Sequence, residues 1–173
     1  MYESALKGWS IAALSLSIIF LVCFTLLSSS SKPARESQPT QKAGENRVTT
    51  TILSLSPDSL SLKAKTALPV SVNINTGKDK VAAVKLVITF DPKIVKVDSV
   101  SPSTFFVKSS ILHKEIDNKT GIAQLVVGSI EPKSGTGEVA LVKITALKDG
   151  DPALKISKDS EASAIGKTYN VLK

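Results

Sequence analysis

The stretch AAVKLVITFDPKIVKV, residues 82–97, constrains the fold more than any other part of the chain. Its side chains alternate with period two, as expected of a β-strand that buries one face. The predicted core face carries Val84, Leu86, Ile88 and Phe90, and the opposite face carries Ala83, Lys85, Val87 and Thr89. Proline has no backbone N–H and biases the preceding residue away from helix, so Asp91-Pro92 predicts a corner. Val95 and Val97 then resume the alternation in a second strand.

The same alternation recurs along the chain, interrupted by short turn sequences. Further strands are predicted in LPVSVNIN, ILHKEI, IAQLVVGSI, EVALVKITAL, ALKIS and TYNVLK. Turns are predicted at 76–79, 117–121 and 134–137, where Gly, Asp, Asn and Ser concentrate. We find no helical period of useful length in this region. About nine short segments at regular spacing predict an all-β fold, either a sandwich or a barrel.

Two of these segments, VAAVKLVITF and VALVKITAL, are similar enough to be read as an internal repeat. Two long core strands that obey the same alternation would look alike without any duplication. We favour the second interpretation.

The N-terminal part of the chain follows a different pattern. After a short flank, residues 1–8, the stretch from Trp9 to Leu27 carries no charge, and none appears between Lys7 and Lys32. Nineteen helical residues would span roughly 28 Å, close to the hydrocarbon core of a bilayer. We predict a transmembrane helix over residues 9–27. A cleaved signal peptide and lipidation at Cys23 are alternatives, the first opposed by the length of the stretch and the second by Val22.

Residues 28–48 contain Ser, Pro, Gln, Gly and charged residues and almost nothing to bury, so we predict a flexible linker. The β-domain then covers residues 49–173. Lys7 and the α-amino group on one side of the span nearly balance Lys32 and Arg35 on the other, so charge does not set the orientation. A polar linker followed by a cysteine-free β-domain favours a single-pass cell-membrane protein whose β-domain lies outside the cytoplasm.

The net charge of +7 raises the question of nucleic-acid binding. From Thr49 onward there are 17 lysines and no arginine against 12 acidic residues, and the lysines are scattered. Arginine is the preferred fork for phosphate and base edges. We therefore interpret the charge as a solvated basic surface and predict no nucleic-acid partner.

Catalytic and metal sites need several groups that converge. The β-domain has one histidine and no cysteine, and it has no phosphate-binding glycine loop or aspartate-rich calcium loop. His113, Glu115 and Asp117 would share one face of a strand, which we interpret as a solvated face. Asn118-Lys119-Thr120 matches the acceptor motif for N-glycosylation, but these residues are already part of a complete turn signal. We predict no catalytic residue, no metal and no cofactor.

Carbohydrate-binding faces usually present flat aromatic rings. The β-domain has no Trp, and its aromatic residues are Phe90, Phe105, Phe106 and Tyr169. Phe90 belongs to the core by its phase, and the pair Phe105-Phe106 is expected to place one ring inward and one outward. A stacking platform for polysaccharide is therefore weakly supported.

Two segments together resemble bacterial cohesin domains. VSVNINTGKDKVAAVKLVITFDPKIVKVDSV is similar to their first half, in which a strand ending in aromatic-Asp-Pro is followed by another apolar strand. GIAQLVVGSI and SGTGEVALVKITAL are similar to their second half, with its Gly-x-Gly turn. The resemblance covers roughly residues 49–173 and implies a jelly-roll β-sandwich of about nine strands. It also implies that the Asp-Pro corner carries the chain from one sheet to the other.

Cohesins bind dockerin modules and so assemble polysaccharide-degrading complexes on cell surfaces. The resemblance implies a binding face formed by the outward row Ala83, Lys85, Val87 and Thr89, with Gln124 from a neighbouring strand. Ala83 and Lys85 stand where dockerin-binding members carry polar or acidic groups. The expected function is membrane-anchored attachment to a dockerin-like module or another extracellular protein, or carbohydrate-associated adhesion to polysaccharide. The alternative is a structural protein of the cell envelope with no dockerin partner.

Overall fold

The computed structural model describes residues 47–173, which form nine β-strands. Their bounds are β1 Ile52–Ser56, β2 Ala67–Asn75, β3 Val81–Thr89, β4 Val95–Pro102, β5 Ser109–Asp117, β6 Ile122–Lys133, β7 Thr136–Ala146, β8 Lys155–Ile156 and β9 Glu161–Ala164. In the region described, no helix is long and apolar enough to cross a membrane. The predicted span over residues 9–27 and nearly all of the predicted linker lie outside the described residues.

The strands form two antiparallel sheets that pack face to face. One sheet has the order β1-β2-β7-β4, and the other has the order β5-β6-β3-β8, with β9 also paired to β3. The prediction of an all-β sandwich of about nine strands is confirmed. VAAVKLVITF and VALVKITAL belong to β3 and β7, which are interior strands of different sheets, as expected of two core strands with the same alternation.

The core lies between the sheets and is built from the alternating faces of the long strands. Val84, Leu86 and Ile88 of β3 are at most 1% exposed, and Phe90 is 6% exposed, so the predicted phase of this strand is confirmed. Val70, Val72 and Ile74 of β2 face them from the other sheet and are equally buried. The period-two pattern therefore identifies the inner face of both sheets.

Asp91-Pro92 is the corner at which the chain leaves the sheet of β3 for the sheet of β4. The Asp91 carboxylate accepts a hydrogen bond from the Lys93 N–H (2.8 Å), and its carbonyl accepts one from the Val95 N–H (3.0 Å). The Phe90 N–H donates to the Gly121 carbonyl (3.0 Å), which ties the corner to the turn between β5 and β6. The predicted corner is confirmed.

Side chains complete the hydrogen bonding of two strands where no neighbouring strand does so. The Asn118 amide accepts from the Val97 N–H (2.8 Å) and donates to the Val97 carbonyl (3.0 Å), so it pairs with the outer edge of β4 as a strand would. The Ser160 hydroxyl accepts from the Val87 N–H (3.0 Å) and donates to the Val87 carbonyl (3.2 Å), between β8 and β9. The predicted turn at 117–121 is present, and Asn118 has a structural role in it.

Two predictions were wrong. TYNVLK forms no strand, because Leu172 makes only an isolated bridge to Thr51, and the last strand is instead β9. Phe105 and Phe106 are both buried, at 1% and 3% exposure, with their rings edge to face at 4.9 Å. The pair lies in the connection between β4 and β5 rather than in a strand, so period-two alternation does not apply to it.

Candidate functional site

The five-stranded sheet has an outer surface that no other strand of the described residues covers. Because alternate residues of β3 and β6 are buried, the residues between them point outward. From β3 these are Ala83, Lys85, Val87 and Thr89, which pair in register with Gly128, Val126, Gln124 and Ile122 of β6. On β5, His113, Glu115 and Asp117 lie beside Val126, Gln124 and Ile122. We call this surface the outer face.

All five residues predicted for the binding face lie together on the outer face. Val87 is paired directly with Gln124, and Lys85 is the next outward residue along β3. Val87 is only 8% exposed, so the centre of the face is closely packed. The structure brings the predicted residues together, and their binding role stays a prediction.

Lys85 has a partner that the sequence pattern did not reveal. β9 pairs with β3 so that Glu161 lies opposite Lys85, and their charged groups are 3.5 Å apart. The Lys85 side chain is 35% exposed and the Glu161 side chain 58% exposed, so the pair contributes little to stability. Its effect is to reduce the positive charge near the centre of the outer face. β9 was missed because it is only four residues long and carries Ala and Ser instead of large apolar residues.

The β5 side of the outer face is acidic. His113 Nε2 lies 3.5 Å from a carboxylate oxygen of Glu115, and both side chains are exposed. A hydrogen bond from the Thr120 hydroxyl, together with the backbone N–H groups of Lys119 and Thr120, lowers the pKa of Asp117 below its ordinary value. Glu115, Asp117 and Gln124 also line a shallow cleft at this end of the face. The sequence placed His113, Glu115 and Asp117 on one strand face, and the structure agrees.

An apolar strip separates this acidic side from Lys85. Val87 and Val126 form its centre, and Ile122 is 42% exposed at one end. At the other end, Leu112 is 65% exposed, and a Cβ added to Gly128 would lie 3.3 Å from Leu112 Cδ1. Val87, Val126 and Ile122 are β-branched, as is common in strands. An apolar centre with charged and hydrogen-bonding groups on either side is typical of protein–protein interfaces.

The outer face has no feature of a catalytic or metal centre in the part of the chain that is described. No group of three or more His, Cys, Asp or Glu side chains within residues 47–173 is arranged to hold a metal ion. Within the same residues, the buried side-chain nitrogen and oxygen atoms all have hydrogen-bond partners.

The chain is similar to solved structures but matches no protein-family model. No curated protein matches the sequence. Solved structures do match. A non-cellulosomal cohesin from the archaeon Archaeoglobus fulgidus superposes with a TM-score of 0.55 and 18% identity, over 72% of this chain and 84% of that one. The domain has the cohesin fold.

Bacterial cohesins superpose equally well. The cohesin CaCohA2 from Clostridium acetobutylicum has a TM-score of 0.56 and 17% identity, over 73% of this chain and 86% of that one. A cohesin from Clostridium thermocellum, solved as a type I cohesin–dockerin complex, has a TM-score of 0.56 and 16% identity, over 73% of this chain and 93% of that one. At these identities the likeness establishes the fold alone.

Proposed function

We propose that the chain is a non-catalytic binding module that attaches a dockerin-like module of another protein through its outer face. In this proposal residues 9–27 anchor it in the cell membrane and the β-domain lies outside the cytoplasm, where it takes part in polysaccharide breakdown. The observation that carries the proposal is the outer face itself, with an apolar strip between Lys85 and the acidic side of β5.

The chemistry of this face suits a folded protein partner. Val126 and Ile122 supply apolar area that a partner can cover, and apolar area removed from water is the main favourable term in association. Gln124, at the centre, offers both a donor and an acceptor. Lys85 and Glu115 lie on opposite sides of the strip, so a partner with complementary charges would bind in one orientation.

The solved structures support the same proposal. The Clostridium thermocellum cohesin was solved in complex with a dockerin, so the fold is compatible with that kind of partner. The Archaeoglobus fulgidus domain is described as non-cellulosomal, so the fold also occurs outside those assemblies. The partner of this chain is therefore proposed by its chemistry, as a module that presents a carboxylate near Lys85 and a cation near Glu115.

Direct carbohydrate binding is the weaker candidate. Phe90, Phe105 and Phe106 are buried, and Tyr169 is contacted by the cationic groups of Arg47 and Lys167. The described part of the outer face therefore presents no aromatic ring for a pyranose to stack on. Retention of the domain on insoluble polysaccharide would overturn this conclusion.

The test uses residues 45–173, immobilised, and a panel of purified dockerin modules, with calcium or with a chelator. Dockerins fold around calcium, so we expect capture with calcium and no capture with chelator. Lys85→Glu should weaken capture at least about tenfold because it places a second carboxylate beside Glu161. Lys78→Glu is the matched control, since this exposed lysine lies in the turn between β2 and β3.

Two results would contradict the proposal. If Lys85→Glu and Lys78→Glu bind equally well, the outer face is not the interface. If no dockerin is captured in either condition, the structural role in the cell envelope takes its place. Membrane anchoring is tested separately on the full chain, by N-terminal sequencing of the membrane fraction and by protease treatment of intact cells.

A further inference from the structure

A second surface lies along the seam between the two sheets. A groove with a volume of about 470 Å³ runs between the edge strands β1 and β8, and Leu172 and Lys173 also line it. Its apolar lining comes from Ile52, Leu53, Ile156 and Leu172. Ile52 is 47% exposed, which is high for a large aliphatic residue in a sheet. We call this groove the seam groove.

The backbone of β1 along the seam groove has hydrogen-bonding groups that face outward, away from β2. The Thr51 N–H donates to the Val171 carbonyl (3.2 Å), and the Thr51 carbonyl accepts from the Lys173 N–H (2.9 Å). In a strand, every second residue directs its backbone groups to the same side, so Leu53 directs its own away from β2, as Thr51 does. Within residues 47–173, no backbone group pairs with this outer side of Leu53. The edge is a template for one more strand.

The charged residues at the rim of the seam groove indicate which kind of peptide strand could bind there. Lys158 and Lys173 both line the seam groove. Asp159 is nearby, and its carboxylate accepts a hydrogen bond from the Ser157 hydroxyl at 3.0 Å. The two lysines supply two cationic groups against one nearby carboxylate, which favours an acidic ligand.

We propose that the seam groove binds an extended acidic peptide segment of another protein, which adds a strand to β1. Backbone bonds to Leu53 would continue the ladder that residues 171–173 begin, apolar side chains of the peptide would cover Ile52 and Ile156, and its carboxylates would lie near Lys158 and Lys173. An acyl chain would fill the apolar lining but would leave the Leu53 backbone unpaired. The proposal does not depend on the outer face, since Lys85 and Gln124 do not line this groove.

The test measures fluorescence anisotropy of a labelled peptide, Asp-Val-Asp-Val-Asp-Val, titrated with the full chain in detergent. The control peptide has Lys in place of Asp. We expect saturable binding of the acidic peptide and at least about tenfold weaker binding of the basic one. Equal binding of both peptides, or of neither, would overturn the proposal.

Variants locate the site. Leu53→Pro removes the backbone N–H that faces outward. Leu53→Ala removes side-chain area but keeps that N–H. Proline is tolerated in an edge strand where the N–H faces outward. We expect the Leu53→Pro variant to bind the acidic peptide at least about fivefold more weakly than the Leu53→Ala variant does. The double change Lys158→Glu and Lys173→Glu should abolish binding, while Lys78→Glu and Lys85→Glu should leave it unchanged. Circular dichroism verifies that each variant is folded.

Two further outcomes would overturn the proposal. If Leu53→Pro and Leu53→Ala bind alike while both are folded, the Leu53 backbone is not the docking edge. If light scattering shows a dimer that the peptide does not dissociate and that Lys158→Glu disrupts, a second copy of the chain occupies the groove.

Discussion

Gly121 shows how one residue position can determine a junction of the fold. Its φ is +75°, a conformation that L side chains rarely adopt, and a Cβ placed there would lie 2.2 Å from the Phe90 carbonyl oxygen. The added Cβ would also lie 2.9 Å from Pro92 Cδ, in the Asp-Pro corner. Both the backbone angle and the space therefore require glycine.

We predict that Gly121→Ala lowers the free energy of unfolding by more than the left-handed conformation alone would. Gly166 is the matched control, because its φ is also +75° but no atom lies within 4 Å of an added Cβ. Gly166→Ala should cost about 1–2 kcal/mol, and Gly121→Ala should exceed that by at least about 1 kcal/mol. Urea denaturation measures both, and equal losses would show that the close approach to Phe90 is not rigid.

Phe90 tests the strand phase on which the outer face depends. It is 6% exposed and belongs to the core cluster, so Phe90→Ala should cost about 3–5 kcal/mol, as such large-to-small core changes do. Urea melts measure the loss, with Thr89→Ala as the control on the opposite face. A loss under about 1 kcal/mol would contradict the assignment of this residue to the core.

At the scale of elements, the edge of β4 depends on a side chain from the turn between β5 and β6. Asn118 occupies both backbone groups of Val97, and Val97 lies beside an irregularity in the pairing of β4 with β7. We predict that Asn118→Ala lowers the free energy of unfolding by about 1–3 kcal/mol, because it leaves these groups without a protein partner. The exposed neighbour Lys119→Ala is the control. Hydrogen exchange at the Val97 amide should accelerate in the first variant only, and unchanged exchange would contradict this role.

The pairing of β4 with β7 also carries a pH dependence. A hydrogen bond from the Thr145 hydroxyl, and then one from Lys96, lower the pKa of Asp98 below its ordinary value. Because the folded-state pKa is the lower one, this stabilisation is present above the unfolded-state pKa of about 3.9 and is lost as the pH falls through the folded value. Between pH 5 and pH 3, the free energy of unfolding of Thr145→Val should therefore fall by less than that of the parent chain. Midpoints of urea denaturation at each pH measure this difference. The exposed Thr104→Val should behave like the parent, and an identical profile for both variants would refute the assignment.

The sequence predicted the elements whose pattern is repeated over many residues. Val84, Leu86 and Ile88 gave the phase of β3, and the glycine and asparagine positions gave the turns. β9 was missed because Ala162 and Ala164 are too small to stand out as a buried face. The roles of Asn118 and Ser160 could not be predicted, since a side chain that replaces a strand leaves no periodic trace.

At the scale of the whole molecule, the two proposed binding surfaces are distinct. The outer face lies on one sheet, and the seam groove lies where both sheets meet. The five residues predicted for the binding face could be placed on one sheet surface from the sequence because they lie in recognisable strands, and their binding role stays a prediction. It did not predict the seam groove, because β1, β8 and residues 171–173 are distant in sequence and meet only in the folded chain.

The strand order also predicts how the molecule folds. β2 and β4 are both paired to β7, and β3 is paired to β6, β8 and β9, so most contacts join residues distant in sequence. Proteins of this kind fold in milliseconds to seconds. We predict refolding on that timescale in stopped-flow dilution from urea, for residues 45–173. A microsecond phase that recovers the full signal would contradict this expectation.

The position of β7 between β2 and β4 has a consequence for the order of events during synthesis. Until Thr136–Ala146 has been made, β2 and β4 lack the strand that joins them, and their apolar faces have no complete sheet to enter. A chain that stops at Lys133 should therefore not form the two-sheet sandwich, although β3, β5 and β6 of the other sheet have been made. A domain built in this way cannot complete its β1-β2-β7-β4 sheet until Ala146 has been made, so the sandwich can close only late in synthesis.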